Sequence, residues 1–113
     1  MVILFKTSKL EKVCNDEKLM IKRLGPQRSK LLKRRLAALR AANVLEDLQH
    51  LPQARCHELL HNRKGQLSVD LDHPYRLIFE PANNPVPRKP NGELDWTKVT
   101  EVVIISVEDT HDQ

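Results

Sequence analysis

Cys14 and Cys56 are the only cysteines in the chain. They form neither a close pair nor a CxxC, which argues against a disulfide framework and a cysteine-built zinc site. Two free thiols in a reducing cytosol is the simplest account. Long apolar runs are missing as well. Met1-Val2-Ile3-Leu4-Phe5 meets Lys6 at once, too short for a signal-peptide core and far too short to span a bilayer. No targeting signal is evident, so the expected location is the cytoplasm, with no membrane partner. Internal repeats and low-complexity tracts are absent. A chain of 113 residues leaves no room for a separate cofactor-binding domain. One domain over residues 1–113 is expected, with no small-molecule cofactor.

What is present is an ordinary folding composition, 30% charged and 40% hydrophobic, with an uneven charge distribution. Residues 1–65 hold 15 Lys/Arg against 6 Asp/Glu, a net of +9; residues 66–113 hold 4 against 9, a net of −5. A basic half points to a polyanion, through phosphate neutralisation and counterion release. The plain alternative is a solvated helix face.

Val2–Phe5 reads as a short strand. Ser8-Lys9-Leu10-Glu11 is a capping box that starts a helix carrying Leu10 and Val13. Asn15-Asp16-Glu17 can cap a new turn, leaving one bent helix or two short ones up to Gly25-Pro26. From Gln27 to Ala42, Leu32, Leu36 and Leu39 recur at helical spacing, flanked by Leu31, Ala38 and Ala42. The rest of that helix is basic: Arg28, Lys30, Lys33, Arg34, Arg35 and Arg40. Asn43 and Glu46 suit the start of a last short helix, which Pro52 ends. Leu67, Val69 and Leu71 then alternate with Ser68 and Asp70, and Tyr75, Leu77 and Phe79 alternate after the turn Asp72-His73-Pro74. That pattern predicts an antiparallel hairpin. Glu101–Val107 is apolar on both faces, as in a central strand. Residues 81–98 carry Pro81, Pro85, Pro87 and Pro90 and read as a long loop insertion. The expected fold class is α+β: an N-terminal strand and two to three helices on a small, mostly antiparallel sheet of about four strands.

Four groups carry possible chemistry. His57-Glu58-Leu59-Leu60-His61 has the H-E-x-x-H spacing that grips zinc when it is helical. Pro52 and Gly65 leave little room for such a helix, and no third ligand sits nearby. Asn62-Arg63-Lys64-Gly65-Gln66 can wrap an anion. Arg76 lies on the opposite strand face from Tyr75, Leu77 and Phe79; a salt bridge to Glu80 or to an acid on a neighbouring strand is the plainer reading. Glu108-Asp109-Thr110-His111 puts a histidine beside carboxylates, as acid–base chemistry requires, although a solvated tail has the same composition.

Taken together, Arg55-Cys56-His57-Glu58-Leu59, then Asn62 to Val69, then Tyr75-Arg76-Leu77-Ile78-Phe79, resemble the HigB branch of the RelE-like toxins. The order and spacing of these pieces carry the likeness, and Asp109-Thr110-His111 extends it. The resemblance implies a RelE-like fold and a toxin that cleaves messenger RNA, usually on the ribosome and without a metal. In that chemistry the ribose 2′-hydroxyl attacks the adjacent phosphorus. It implies catalytic roles for Arg76 at the scissile phosphate, His111 in acid–base work or base stacking, Asp109 before it, and Lys64 on the phosphate. His61 lies near another active-site histidine of some members. Arg63 joins the RNA-binding loop, and Lys33, Arg34 and Arg40 are expected to meet ribosomal RNA. The implied partner is a small helix-turn-helix antitoxin that also represses the shared operon. Two positions depart from the pattern. Thr110 stands where many relatives have an aromatic residue, and His61 where many have glycine. The rival readings are a gyrase-poisoning binding module like the ParE branch, which lacks the nuclease residues, and a zinc protease through His57 and His61.

Overall fold

The computed structural model describes residues 1–110. In chain order the regular elements are β1 (Val2–Phe5), α1 (Ser8–Asn15), α2 (Glu17–Leu24), α3 (Pro26–Ala41), β2 (His57–Glu58), β3 (Leu67–Asp70), β4 (Tyr75–Pro81) and β5 (Glu101–Asp109). Short 3-10 turns at Leu45–His50, Pro52–Ala54 and His61–Arg63 join them. The sheet order is β1-β5-β4-β3-β2. Only β1 runs parallel to its neighbour, β5; the other pairs are antiparallel. The fold is therefore α+β with a mostly antiparallel sheet of five strands, one more than the alternation of side chains predicts. The extra strand is β2, only two residues long.

The helix starts follow local hydrogen bonding. The Thr7 hydroxyl, one residue earlier than the expected Ser8 cap, accepts from the Leu10 amide at 3.1 Å. Asp16 accepts from the Leu19 amide at 3.1 Å, so the segment divides into two helices. Gly25, at φ 84°, ends α2 and leads into Pro26 at the first turn of α3. Where a cap by Asn43 and Glu46 was expected, Asp47 instead accepts from the amides of Asn43 and Val44.

Leu32, Leu36 and Leu39 of α3 are fully buried, as their spacing requires. They meet Leu67, Val69, Leu77, Phe79, Val102 and Ile104 on one face of the sheet. Each such side chain contributes roughly 1.5–3 kcal/mol by leaving water. The Pro-rich segment joins the same core. Leu94 and Val99 are buried, and the amides of Leu45 and Glu46 donate to the carbonyls of Val99 and Trp96. Asn83 accepts from the amides of Thr100 and Glu101, tying the two ends of the segment together.

One irregularity positions the site. Ile78 pairs with Ser106, but Phe79 pairs with Ile104. Ile105 is thus the extra residue of a β-bulge. Before it, Val102 and Ile104 point into the core. After it, Val107 pairs with Leu77 on the core side, and Ser106 and Glu108 move to the opposite face beside Ile78 and Arg76.

Candidate functional site

The sheet face away from the helices carries Arg76, Ile78 and Glu80 of β4, Ser68 and Asp70 of β3, and Ser106 and Glu108 of β5. Arg76 is 13% exposed, and its Nε lies 3.4 Å from Asp70 Oδ1. Asp70 also receives Arg55 Nη1 at 3.3 Å. The acid on a neighbouring strand is therefore Asp70, while Glu80 accepts from Gln66 at 3.2 Å. Arg76 Nη1 is buried without a hydrogen-bond partner among the described residues. That nitrogen is a buried donor left without an acceptor among them.

The basic loop is bounded by two left-handed residues, His61 at φ 58° and Gly65 at φ 95°. A side chain is strained at such a φ, so glycine is the easier occupant of position 61. Within the loop, Arg63 turns back to the sheet. Its Nη1 and Nη2 reach the two Glu108 oxygens at 2.6 and 2.9 Å, and its Nε reaches Gln66 at 3.0 Å. The Ser106 hydroxyl donates to Glu108 as well. The Arg63 guanidinium holds the Glu108 carboxyl below its ordinary range, and Glu108 in turn raises Arg63. Arg63, expected on RNA, is thus tied to the protein. Lys64 and His61 remain exposed and line one groove together.

The zinc-protease reading requires a helix through His57 and His61. The structure has strand β2 at His57–Glu58 and a 3-10 turn at His61 instead. His57 is held by Ser68 Oγ at 3.4 Å and by the Glu58 carbonyl at 3.1 Å. Among the described residues no group of three His, Cys, Asp or Glu side chains is placed to hold a metal. Both cysteines are free. Burial pushes the Cys56 thiol up to about 12 and Cys14 up to about 11, so neither is a ready nucleophile.

At the end of β5, Asp109 is exposed opposite Tyr75. Thr110 is buried, and its amide donates to the Pro74 carbonyl. A side chain at position 110 therefore packs inward here. His111 lies outside the described residues.

The basic helix splits in two. Arg28 chelates Asp72 at 2.9 and 3.0 Å and stacks on Tyr75, 3.4 Å from the ring centre. Arg35 donates to the carbonyls of Asp70 and Gln53. Lys33, Arg34 and Arg40 face solvent; Lys33 meets Glu17 at 2.9 Å, and Arg40 meets Asn15 at 3.4 Å. Because α3 packs on the face bearing Leu77 and Phe79, these three cations lie across the sheet from Arg76.

Sequence reasoning missed the role of Glu108, which depends on the bulge at Ile105, and the cleft beside Lys64. That cleft measures about 450 Å³ and lies between the basic loop and the Pro-rich segment. Glu58, Lys64, Glu80, Val86, Arg88 and Leu94 line it. It opens into a wider groove of about 850 Å³ that reaches His61.

Among the described residues no helix is long and apolar enough to cross a membrane. Comparison with curated protein sequences gives no match. Among solved structures, a "YoeB/ParE toxin from Agrobacterium tumefaciens" superposes with a TM-score of 0.54 at 9% identity, covering 98% of this chain and 100% of that one. That likeness shows a shared fold. A sequence profile described as "RelE-like toxin of type II toxin-antitoxin system HigB" matches residues 4–89. The chain therefore belongs to the HigB-like toxins, a RelE-like family of type II toxin–antitoxin systems.

Proposed function

We propose that this toxin is a metal-independent endoribonuclease that cuts messenger RNA on the ribosome, in the cytoplasm. The observation that carries the reading is Arg76. It is a nearly buried guanidinium on the sheet face away from the helices, with one buried nitrogen lacking a partner among the described residues. In the proposed reaction the ribose 2′-oxygen loses its proton and attacks the adjacent phosphorus. The bond to the 5′-oxygen breaks, and that oxygen takes up a proton. The products are a 2′,3′-cyclic phosphate and a free 5′-hydroxyl. Arg76 and Lys64 stabilise the charge on the phosphorane, as fixed donors do best in a site shielded from water. His111 and His61 are the candidates for moving the two protons, and Asp109 orients His111. Lys33, Arg34 and Arg40, on the other side of the sheet, hold ribosomal RNA. Arg63 acts on this chemistry through the loop it anchors. A type II toxin has an antitoxin as its partner; we take it to be a helix-turn-helix protein that represses the shared operon.

The test is induction of wild type, Arg76→Ala and His111→Ala in a bacterial host, with circular dichroism confirming folding. Wild type is expected to arrest growth with cut reporter messages, and both variants to do neither. Arrest with intact messages would transfer the function to a gyrase-poisoning module of the ParE kind.

A further inference from the structure

The Pro-rich segment does more than connect β4 to β5. Arg88 bridges Leu94 across a small hairpin, closed by the Gly92 amide on the Lys89 carbonyl and the Lys89 amide on the Glu93 carbonyl. Arg88 Nη1 donates to the Gly92 carbonyl at 3.1 Å, which fixes where its guanidinium sits. The hairpin forms the wall of the cleft that faces the basic loop. Its apolar floor includes Val86 and Leu94. Neither Lys64 nor Arg88 has a carboxylate within ion-pair distance among the described residues. The two acids of the cleft each already hold a donor: Glu58 accepts from Trp96 Nε1 at 3.0 Å, and Glu80 Oε2 from Gln66. Glu80 Oε1 and Glu58 Oε1 have no hydrogen-bond partner among the described residues, and of the two acids Glu80 shares the sheet face of Arg76.

Two cations without an ion-pair partner beside an apolar floor, with two carboxylates that each keep one oxygen open, fit a ligand with an anionic group and a flat, donor-bearing body. Glu80 and Arg76 lie on the same face of β4, four residues apart, which is roughly 13 Å along a strand. We infer that this cleft holds one nucleotide of the RNA beside the cleavage position, with Arg88 on its phosphate, Lys64 between that phosphate and the scissile one, and Glu80 reading its base. This rests on the RNA-cutting reading of the same sheet face. A carboxylate accepts from the exocyclic amino groups of adenine, cytosine and guanine. Uracil has no exocyclic amino group and offers only its ring N3–H, flanked by two carbonyl oxygens that repel a carboxylate, and is disfavoured. Arg88 is thereby a substrate-binding residue, and Glu80 a specificity-determining one.

The experiment uses 2′-O-methyl hexanucleotides of A, C or U, which cannot be cut through the 2′-oxygen, with the full chain and fluorescence anisotropy as the readout. Wild type is expected to bind the A and C probes about tenfold more tightly than the U probe. Arg88→Ala should weaken all three by about tenfold and lower the salt slope by about one, while Arg88→Lys retains most of the affinity. Glu80→Gln should bring the U probe within about twofold of the C probe. Unchanged binding by Arg88→Ala, or equal wild-type affinity for all three probes, overturns the proposal. Wild-type protein that shows the binding pattern but cuts no message keeps the cleft and removes the nuclease reading. Wild-type protein that cuts messages but lacks the pattern does the reverse.

Discussion

Arg63 and Glu108 meet as a two-bonded ion pair, at 2.6 and 2.9 Å, that pins the basic loop to the last strand of the sheet. Their side chains are 21% and 31% exposed, between the surface pairs that contribute little and the buried pairs whose rupture is costly. Glu108→Gln is expected to cost about 1–2 kcal/mol of stability, as loss of a charge-assisted pair does. Urea denaturation at neutral pH measures it. Hydrogen exchange should show the loss of protection concentrated in residues 60–66, because Glu108 is the loop's contact with β5. Uniform loss over the sheet would mean that Glu108 stabilises the fold without holding the loop in particular.

The same pair gives a pH dependence of definite sign. Glu108 titrates below its ordinary 4.5 because Arg63 donates to it, and Asp72 below 3.8 because Arg28 does. A depressed carboxylate contributes stability that is fully present above its unfolded pKa and is lost as pH falls through the folded value. Stability should therefore hold from pH 7 to about pH 5 as far as these groups are concerned, and decline below about pH 4.5. The gap between wild type and Glu108→Gln should close in that acid window, since protonated Glu108 has no charge to offer Arg63. Melting temperatures of both proteins from pH 7 to pH 3 check this. A gap that stays constant to pH 3 would show that the carboxylate charge is not what matters.

Asp70 neutralises two arginines, Arg76 at 3.4 Å and Arg55 at 3.3 Å. Arg76 is the more deeply placed of the two, so loss of the Asp70 charge leaves a desolvated cation. Asp70→Ala is expected to cost about 3 kcal/mol, in the range for breaking a buried pair from one side. Arg76→Met with Asp70→Ala should recover much of that loss. A double-mutant cycle in urea reads the coupling, and simple additivity would mean that the two charges do not support each other.

Much of this architecture could be read from the chain. The leucine spacing of α3 and the alternation through β3 and β4 survive because each places a full apolar face against one core. The Gly25-Pro26 boundary survives because it is a local backbone constraint. Other features are set by tertiary contacts that no local pattern encodes. Two residues of β2 are too few to show a period, so His57-Glu58 stood out only through a helical motif that its neighbours Pro52 and Gly65 oppose. The bulge at Ile105 is invisible where a central strand is apolar on both faces, and with it the destination of Glu108. Thr7 and Ser8 offer adjacent hydroxyls, and only backbone geometry selects Thr7 as the cap. Arg28 and Arg35 read as members of a free basic face because Asp72, Tyr75 and the Asp70 carbonyl are far away in sequence.

That division of the α3 cations makes the last prediction. Lys33, Arg34 and Arg40 face solvent on the side of the sheet opposite Arg76. Exposed cations contribute to polyanion binding through counterion release, each adding about one to the salt slope. Replacing all three with alanine should weaken ribosome binding and lower that slope by up to about three. Lys33 has Glu17 at 2.9 Å, so its share should be the smallest. Stability should stay close to wild type, because none of the three is buried. Arg28→Ala should behave in the opposite way, destabilising the fold through loss of Asp72 and Tyr75 with little effect on the salt slope. Sedimentation with ribosomes across a salt series separates the two outcomes. A triple variant that binds ribosomes with the wild-type slope would free α3 from any role in RNA contact and leave the sheet face away from the helices to supply it.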